Sequence, residues 1–236
     1  MSDHLTSWAS KPGRAVIFDF NGTLSNDEPV LQAVFADMFA THLGWTLTEA
    51  DYWERLAGRS DREIIEIVVA DQAAGEDELV ETMLAERRVR YLERVEQRSP
   101  IEDETVELVE LFGHHGVPLA IVTGAQRPDV DFVLERRGLV GRFAAIVTEE
   151  DVSEGKPHPE GFERGADLLG AQPSDVLVFE DSLFGLRGAR AAGMWCVGVV
   201  GTKTRDELDA EAHLVVDRLT PSLVAGILEA GSGDRG

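Results

Sequence analysis

Four short segments put charged or oxygen-bearing side chains where apolar runs of strand length end. In FDFNGTL, a carboxylate, Asp19, is followed by Asn21-Gly22-Thr23. These residues form a tight turn whose N–H groups suit an anion, although an Asx turn that merely ends a strand has the same composition. In IVTGA, Thr123 and Gly124 offer a hydroxyl and an N–H that can donate to phosphate oxygens; a plain Thr-Gly turn looks alike. In EGKPHPEGF, Lys156 is the only lysine between residues 12 and 202. Its ammonium can screen an anionic nucleophile and an anionic substrate together. In VFEDSLFGLRGA, Glu180 and Asp181 end an apolar strand. Adjacent acids there are costly unless paired or bound to a cation. Mg²⁺ commonly takes one or two carboxylates plus phosphate and water. Acids opening a helix are the alternative.

The elements that must position these residues follow from periodicity. Residues 14–20 contain AVIFDF, almost continuously apolar, as in a strand buried on both faces. Residues 30–98 contain no strand pattern and read as amphipathic helices. Thr48, Ser60 and Asp77 are N-cap types, and Gly44, Gly58 and Gly75 follow helix ends. Ser60 with Glu63 resembles a capping box. From Ser99 onward, helices alternate with the strands PLAIVTG, AAIVTEE, VLVFED, CVGVV and HLVVD, which predicts a parallel sheet with helices on both faces. The expected organisation is an α/β core, 1–29 and 99–236, with a helical insert, 30–98. An insert past the carboxyl end of a strand lies where open α/β sheets bind ligands, and it can act as a lid. Residues 1–13 and 231–236 read as frayed.

Composition narrows the partners. The 236 residues carry a formal charge of −22, with only Lys11, Lys156 and Lys203 as lysines. So acidic a surface disfavours nucleic acid and anionic membranes. An anion site must therefore be locally positive. No run approaches the roughly 20 apolar residues of a membrane span, and the start has no apolar stretch of signal-peptide type. The single cysteine, Cys196, excludes an internal disulfide, fits a reducing compartment and reads as a buried core thiol. The expectation is a cytoplasmic protein, monomeric or weakly associated. His114-His115 closes a helix, and no third ligand is spaced for zinc.

Order and spacing of the four segments resemble the haloacid dehalogenase superfamily, and the insert resembles its small helical cap. GKPHPEGF and EDSLFGLRGARAAGM are similar to the subgroup with β-phosphoglucomutase and phosphoglycolate phosphatases. The resemblance implies a Rossmann-like core and Mg²⁺-dependent hydrolysis of a small phosphorylated metabolite. Asp19 would attack phosphorus and form an aspartyl-phosphate. The metal would be held by Asp19, the main-chain carbonyl of Asn21, Glu180 and Asp181. Asn21, Gly22, Thr123, Gly124 and Lys156 would hold phosphoryl oxygens.

One position departs from that pattern. The superfamily's second aspartate, which protonates the leaving oxygen and activates water, is Asn21 here, and an amide cannot exchange a proton at neutral pH. Such help is typically worth ~10²–10⁴-fold. Asp27 is a candidate replacement acid and substrate contact. Another account is a leaving group that needs no proton. A third is a phospho-ligand-binding protein without turnover. Phosphonoacetaldehyde-type hydrolases also lack the aspartate but need a cap lysine, and 30–98 has none. Dehalogenases need no Mg²⁺, and the Glu180–Asp181 pair argues against them. A β-phosphoglucomutase-like mutase is weakened by Leu31 and by Gly58-Arg59-Ser60-Asp61, which stand where it carries a histidine and Gly-x-Ser-Arg. Arg59, Ser60 and Arg62 remain candidate substrate contacts. Solvated arginines at a helix start are the alternative.

Overall fold

The computed structural model describes residues 3–73 and 77–230. Its first element corrects an expectation. Asp3–Ala9 is not frayed but forms a helix, α1. Leu5, Trp8 and Ala9 are spaced i, i+3, i+4 and are all buried. Trp8 Nε1 donates to the Asp175 carbonyl at 2.8 Å, and Lys11 Nζ donates to Asp175 Oδ1 at 2.6 Å. An apolar stripe this short is invisible among polar neighbours until its distant partner is known. The expectations for 231–236 and for Gly75 fall outside the described residues.

Six strands form the sheet: β1 Ala15–Phe18, β2 Leu119–Val122, β3 Ala145–Val147, β4 Val176–Glu180, β5 Trp195–Val199 and β6 Leu214–Val216. Every pairing is parallel, in the order β3-β2-β1-β4-β5-β6. This is the Rossmann-like α/β core expected. β1 is central and fully buried along its length. Chain order reverses beside it, which opens a crevice at the carboxyl ends of β1 and β4.

Between β1 and β2 run α2 (Glu28–Leu43), α3 (Glu49–Asp51) continuing as a π-helical turn (Tyr52–Leu56), α4 (Asp61–Ala73) and α5 (Asp77–Gln97). Thr48 forms a capping box with Asp51. Ser60 and Glu63 exchange reciprocal bonds of 3.0 and 3.3 Å. Gly44 ends α2 at φ 61°. After the insert come α6 (Asp103–His114), α7 (Arg127–Arg136), α8 (Glu160–Leu169), α9 (Leu183–Ala191), α10 (Arg205–Asp209) and α11 (Pro221–Ala230).

Alternation along the strands divides the core in two. Ala15, Ile17, Val176 and Val178 face Phe162 of α8, Leu186 of α9 and Leu208 of α10. Val16, Phe18, Leu177 and Phe179 face α1, α6, α7 and α11. The buried side chains of the insert, including Phe35, Phe39 and Tyr91, continue this second cluster. Each fully buried large apolar side chain contributes about 1.5–3 kcal/mol. A buried ionic contact also crosses from insert to core. Arg87 on α5 is buried, pairs with Asp61 of α4 at 3.0 Å and bonds Asp129 on α7. Among the described residues no helix is long and apolar enough to cross a membrane.

Docking of α1 is testable. Trp8→Ala is expected to lower unfolding free energy by about 3–5 kcal/mol, the range for emptying a large aromatic site. Urea denaturation measures it; an unmoved midpoint would mean that α1 contributes nothing.

Candidate active site

Asp19 is the first residue past β1. Its N–H donates to the Phe179 carbonyl at 2.9 Å, so pairing with β4 runs one residue beyond the strand. This fixes the carboxylate beside Glu180, the last residue of β4. Lys156 arrives from the loop between β3 and α8. Its Nζ donates to Asp19 Oδ1 at 2.5 Å and Glu180 Oε1 at 2.6 Å. That reach depends on α8 lying close to the sheet. A Cβ on Gly165 would sit 2.9 Å from Val122 Cγ2 and 3.1 Å from Ile17 Cδ1. Glu180 Oε2 accepts from the Ser182 N–H at 2.6 Å. Asp181 accepts from the Thr23 hydroxyl at 3.2 Å and from the Thr202 hydroxyl.

Three carboxylates and one ammonium thus share a buried place. Asp19 is 6% exposed, Glu180 0% and Asp181 1%, so water screens none of them well. Burial pushes Asp19 up to about 7; Lys156 opposes this and Glu180 adds to it. Burial, then Glu180 and Asp19, hold Asp181 well above the usual carboxylate range. Burial alone would lower the Lys156 ammonium, but Asp19 and Glu180 reverse this and keep it charged.

That excess of negative charge is what a divalent cation would neutralise. Among the described residues no three acidic, His or Cys side chains already form a ligand set. The reason is visible: Lys156 and the Ser182 N–H engage both Glu180 oxygens. Asp19, Asp181 and the main-chain carbonyl of Asn21, with Glu180 beside them, are the groups that would hold such a cation, since Mg²⁺ takes carboxylate, phosphate and water oxygens. Asp181 has only hydroxyl partners, which such a cation could supplement.

Asn21 and Asp27 explain one another. Asn21 Nδ2 donates to Asp27 Oδ2 at 2.8 Å, and the Tyr91 hydroxyl donates to the same oxygen at 2.5 Å. Asp27 is fully buried, and burial raises its pKa against the bonds from Tyr91, Ser25 and Asn21. A carboxylate at position 21 would meet Asp27 with no donor between them; the amide supplies one.

A cavity of about 560 Å³ opens over Asp19. Asn21, Thr123, Gly124, Lys156, Glu180 and Asp181 line it, and so do Arg59, Ser60 and Arg62. Two expected residues do not: Gly22 lies under Asp181, and Asp27 lies behind Asn21. Thr123 Oγ1 accepts from the Ala125 N–H at 3.0 Å, which leaves its proton for a ligand. The insert closes down here, since a Cβ on Gly124 would lie 3.4 Å from Ser60 Cβ and one on Gly58 2.9 Å from Ser182 Cβ. The Arg59 guanidinium stacks on Phe184 at 4.7 Å and donates to the Arg55 carbonyl. Arg62 turns to Glu81 at 2.8 Å. Both arginines are thus engaged by protein. His158 Nδ1 accepts from the Glu160 N–H in the loop before α8. Cys196 is buried, and burial pushes its thiol up to about 12.

Two wall residues escape sequence reasoning. Glu28 reads as an ordinary acid opening a helix, and Tyr52 as an aromatic of an amphipathic one. Yet the Tyr52 hydroxyl donates to Glu28 Oε2 at 2.7 Å within the cavity wall. No local signal pairs residues so far apart in sequence.

The parallel sheet, the strand-end acids and the inserted helices define a hydrolase with a Rossmann-like α/β core. The chain belongs to the haloacid dehalogenase-like hydrolases: the family model matches residues 16–199. It is a hydrolase of that family's phosphatase type. It is 30% identical to validoxylamine A 7'-phosphate phosphatase of Streptomyces hygroscopicus subsp. limoneus, over 88% of this chain and 94% of the relative. It is 32% identical to fructose-1-phosphate phosphatase YqaB of Escherichia coli, over 78% and 95%. A crystal structure of a CbbY variant from Rhodobacter sphaeroides, in complex with xylulose-(1,5)bisphosphate, superposes with a TM-score of 0.78 at 26% identity, covering 87% of this chain and 94% of that one.

Gly22 tests the construction. Its φ is +78°, and a Cβ there would lie 2.0 Å from Asp181 Oδ2. Gly22→Ala is expected to displace Asp181 and weaken Mg²⁺ binding at least tenfold, read by isothermal titration calorimetry. Wild-type affinity would remove Asp181 from the ligand set.

Proposed function

We propose that the protein is a Mg²⁺-dependent phosphomonoesterase that acts on a small phosphorylated metabolite, such as a sugar phosphate, through an aspartyl-phosphate at Asp19. The observation that carries this is the Lys156 ammonium bonded to both Asp19 and Glu180 at the floor of the cavity. Relatives named as phosphatases of fructose-1-phosphate and of validoxylamine A 7'-phosphate support the substrate class. Asp19 attacks phosphorus, and the bond to the leaving oxygen breaks. Lys156, the Thr123 hydroxyl and the Gly124 N–H hold the phosphoryl oxygens, so that positioning and charge neutralisation lower the barrier. Mg²⁺, held by Asp19, Asp181 and the Asn21 carbonyl, would supply the remaining positive charge. Residues 30–98 act as a cap over the core formed by 1–29 and 99–236. Its loop at Gly58–Asp61 excludes water when it lies on Ser182 and Gly124. We place the protein in the cytoplasm, as a monomer or weak oligomer that binds neither nucleic acid nor membrane.

Asn21 favours a second reading, a phospho-ligand-binding protein that keeps the cradle without turnover. A mutase fits less well, because Leu31 and Asp61 stand at two of its expected positions. Assays with Mg²⁺ against a panel of phosphorylated metabolites, sugar phosphates among them, separate these readings. Phosphate release that disappears in Asp19→Ala and on chelation with EDTA is expected. The informative control exchanges two residues, Asn21→Asp with Asp27→Asn, because a lone Asn21→Asp would face the Asp27 carboxylate. Silence in the wild type with activity in the exchange would establish the binder instead.

A further inference from the structure

The missing proton donor has a candidate that the sequence pattern does not suggest. We propose that Glu28 is the general acid and base of this site, in place of the carboxyl that Asn21 lacks. The inference rests on Asp19 being the nucleophile.

Asp27 cannot take the role from where it stands. It lies outside the cavity wall and gives one oxygen to both Asn21 and Tyr91. Glu28, the next residue, lines the same cavity as Asp19 and Asn21. It is 7% exposed, and Oε2 is held by the Tyr52 hydroxyl. Oε1 meets no donor among the described residues. The carboxyl is therefore fixed at one oxygen and open at the other, as proton transfer in a closed site requires.

Its electrostatic setting agrees. The charged groups acting most on it are all acidic: Asp27 beside it, Asp19 after β1 and Asp61 at the start of α4. Glu28 in turn acts on Asp181 after β4. No ion pair locks Glu28 as a carboxylate. Burial, offset in part by the Tyr52 bond, pushes it up to about 7, so both protonation states are populated near neutrality. Tyr52 belongs to the cap, so closure is what holds the acid in place.

The proton balance closes. As Asp19 attacks phosphorus, the departing oxygen takes the Glu28 proton and leaves as an alcohol. The Glu28 carboxylate then removes a proton from water as that water attacks the aspartyl-phosphate. The Asp19–phosphate bond breaks, inorganic phosphate leaves, and Glu28 is protonated again.

Acetyl phosphate is the probe, because its acetate leaves without a proton. In Glu28→Gln, phosphoenzyme trapped by rapid quench is expected to form at the wild-type rate. Its decay should be slower by about 10²-fold or more, within the range for lost acid–base help. Decay at the wild-type rate overturns Glu28 while leaving Asp19 standing. Absence of both phosphoenzyme and turnover in the wild type overturns Asp19, and Glu28 with it. Tyr52→Phe is the independent check, and it decides the matter if Glu28→Gln does not fold. Removing a bond that lowers the Glu28 pKa moves the acid limb of dephosphorylation to higher pH. A limb that does not move overturns the assignment.

Discussion

Asp19, Glu180 and Asp181 are buried around the single ammonium of Lys156, and most of the architecture answers to that charge imbalance. Parallel strands create it, because the carboxyl ends of β1 and β4 lie side by side where the chain order reverses. In water, solvent and salt would screen these charges from one another. Here burial, with the neighbouring carboxylates adding to it, pushes Asp19 and Asp181 toward their neutral forms. A bound cation would favour the carboxylate form of Asp19, as Lys156 already does. The same deficit of positive charge makes this floor a place that a divalent cation would suit.

The cap is tied to this floor by polar contacts as well as by apolar packing. Arg87 joins Asp61 on its own side to Asp129 on α7, and its guanidinium stacks 4.6 Å from the Tyr91 ring centre. Tyr91 reaches Asp27, and Asp27 orients the Asn21 amide. Tyr52 reaches Glu28. The two tyrosine links end at Asp27 and Glu28, at the root of the insert. Cap position and site geometry are therefore coupled through a few short hydrogen bonds rather than through a distant relay.

Substrate choice falls to a mixed wall. Arg59 and Arg62 have protein partners, while Glu28, Glu149 and Glu150 face the same cavity. Burial pushes Glu149 up to about 7, with Asp61 and Glu150 adding to it. Arg88 lines the cavity too, with Asp129 Oδ1 4.0 Å from its Nε, so the wall carries both carboxyl and guanidinium groups.

Much of this was legible in the sequence because it is local. An apolar run ending in an acid, a lone lysine before a proline and a helical insert each report themselves within ten residues. They determine the parallel sheet and place Asp19, Lys156, Glu180 and Asp181 at its strand ends. What only the tertiary structure decided is which neighbour faces which way. Asp27 precedes α2 and Glu28 is its first residue, and one step along a helix turns a side chain through about 100°. Identical chemistry at adjacent positions therefore ends behind Asn21 in one case and on the cavity wall in the other. Trp8 is a similar case, since its partner Asp175 lies 167 residues away. A one-dimensional pattern records which groups are present; only packing fixes their direction.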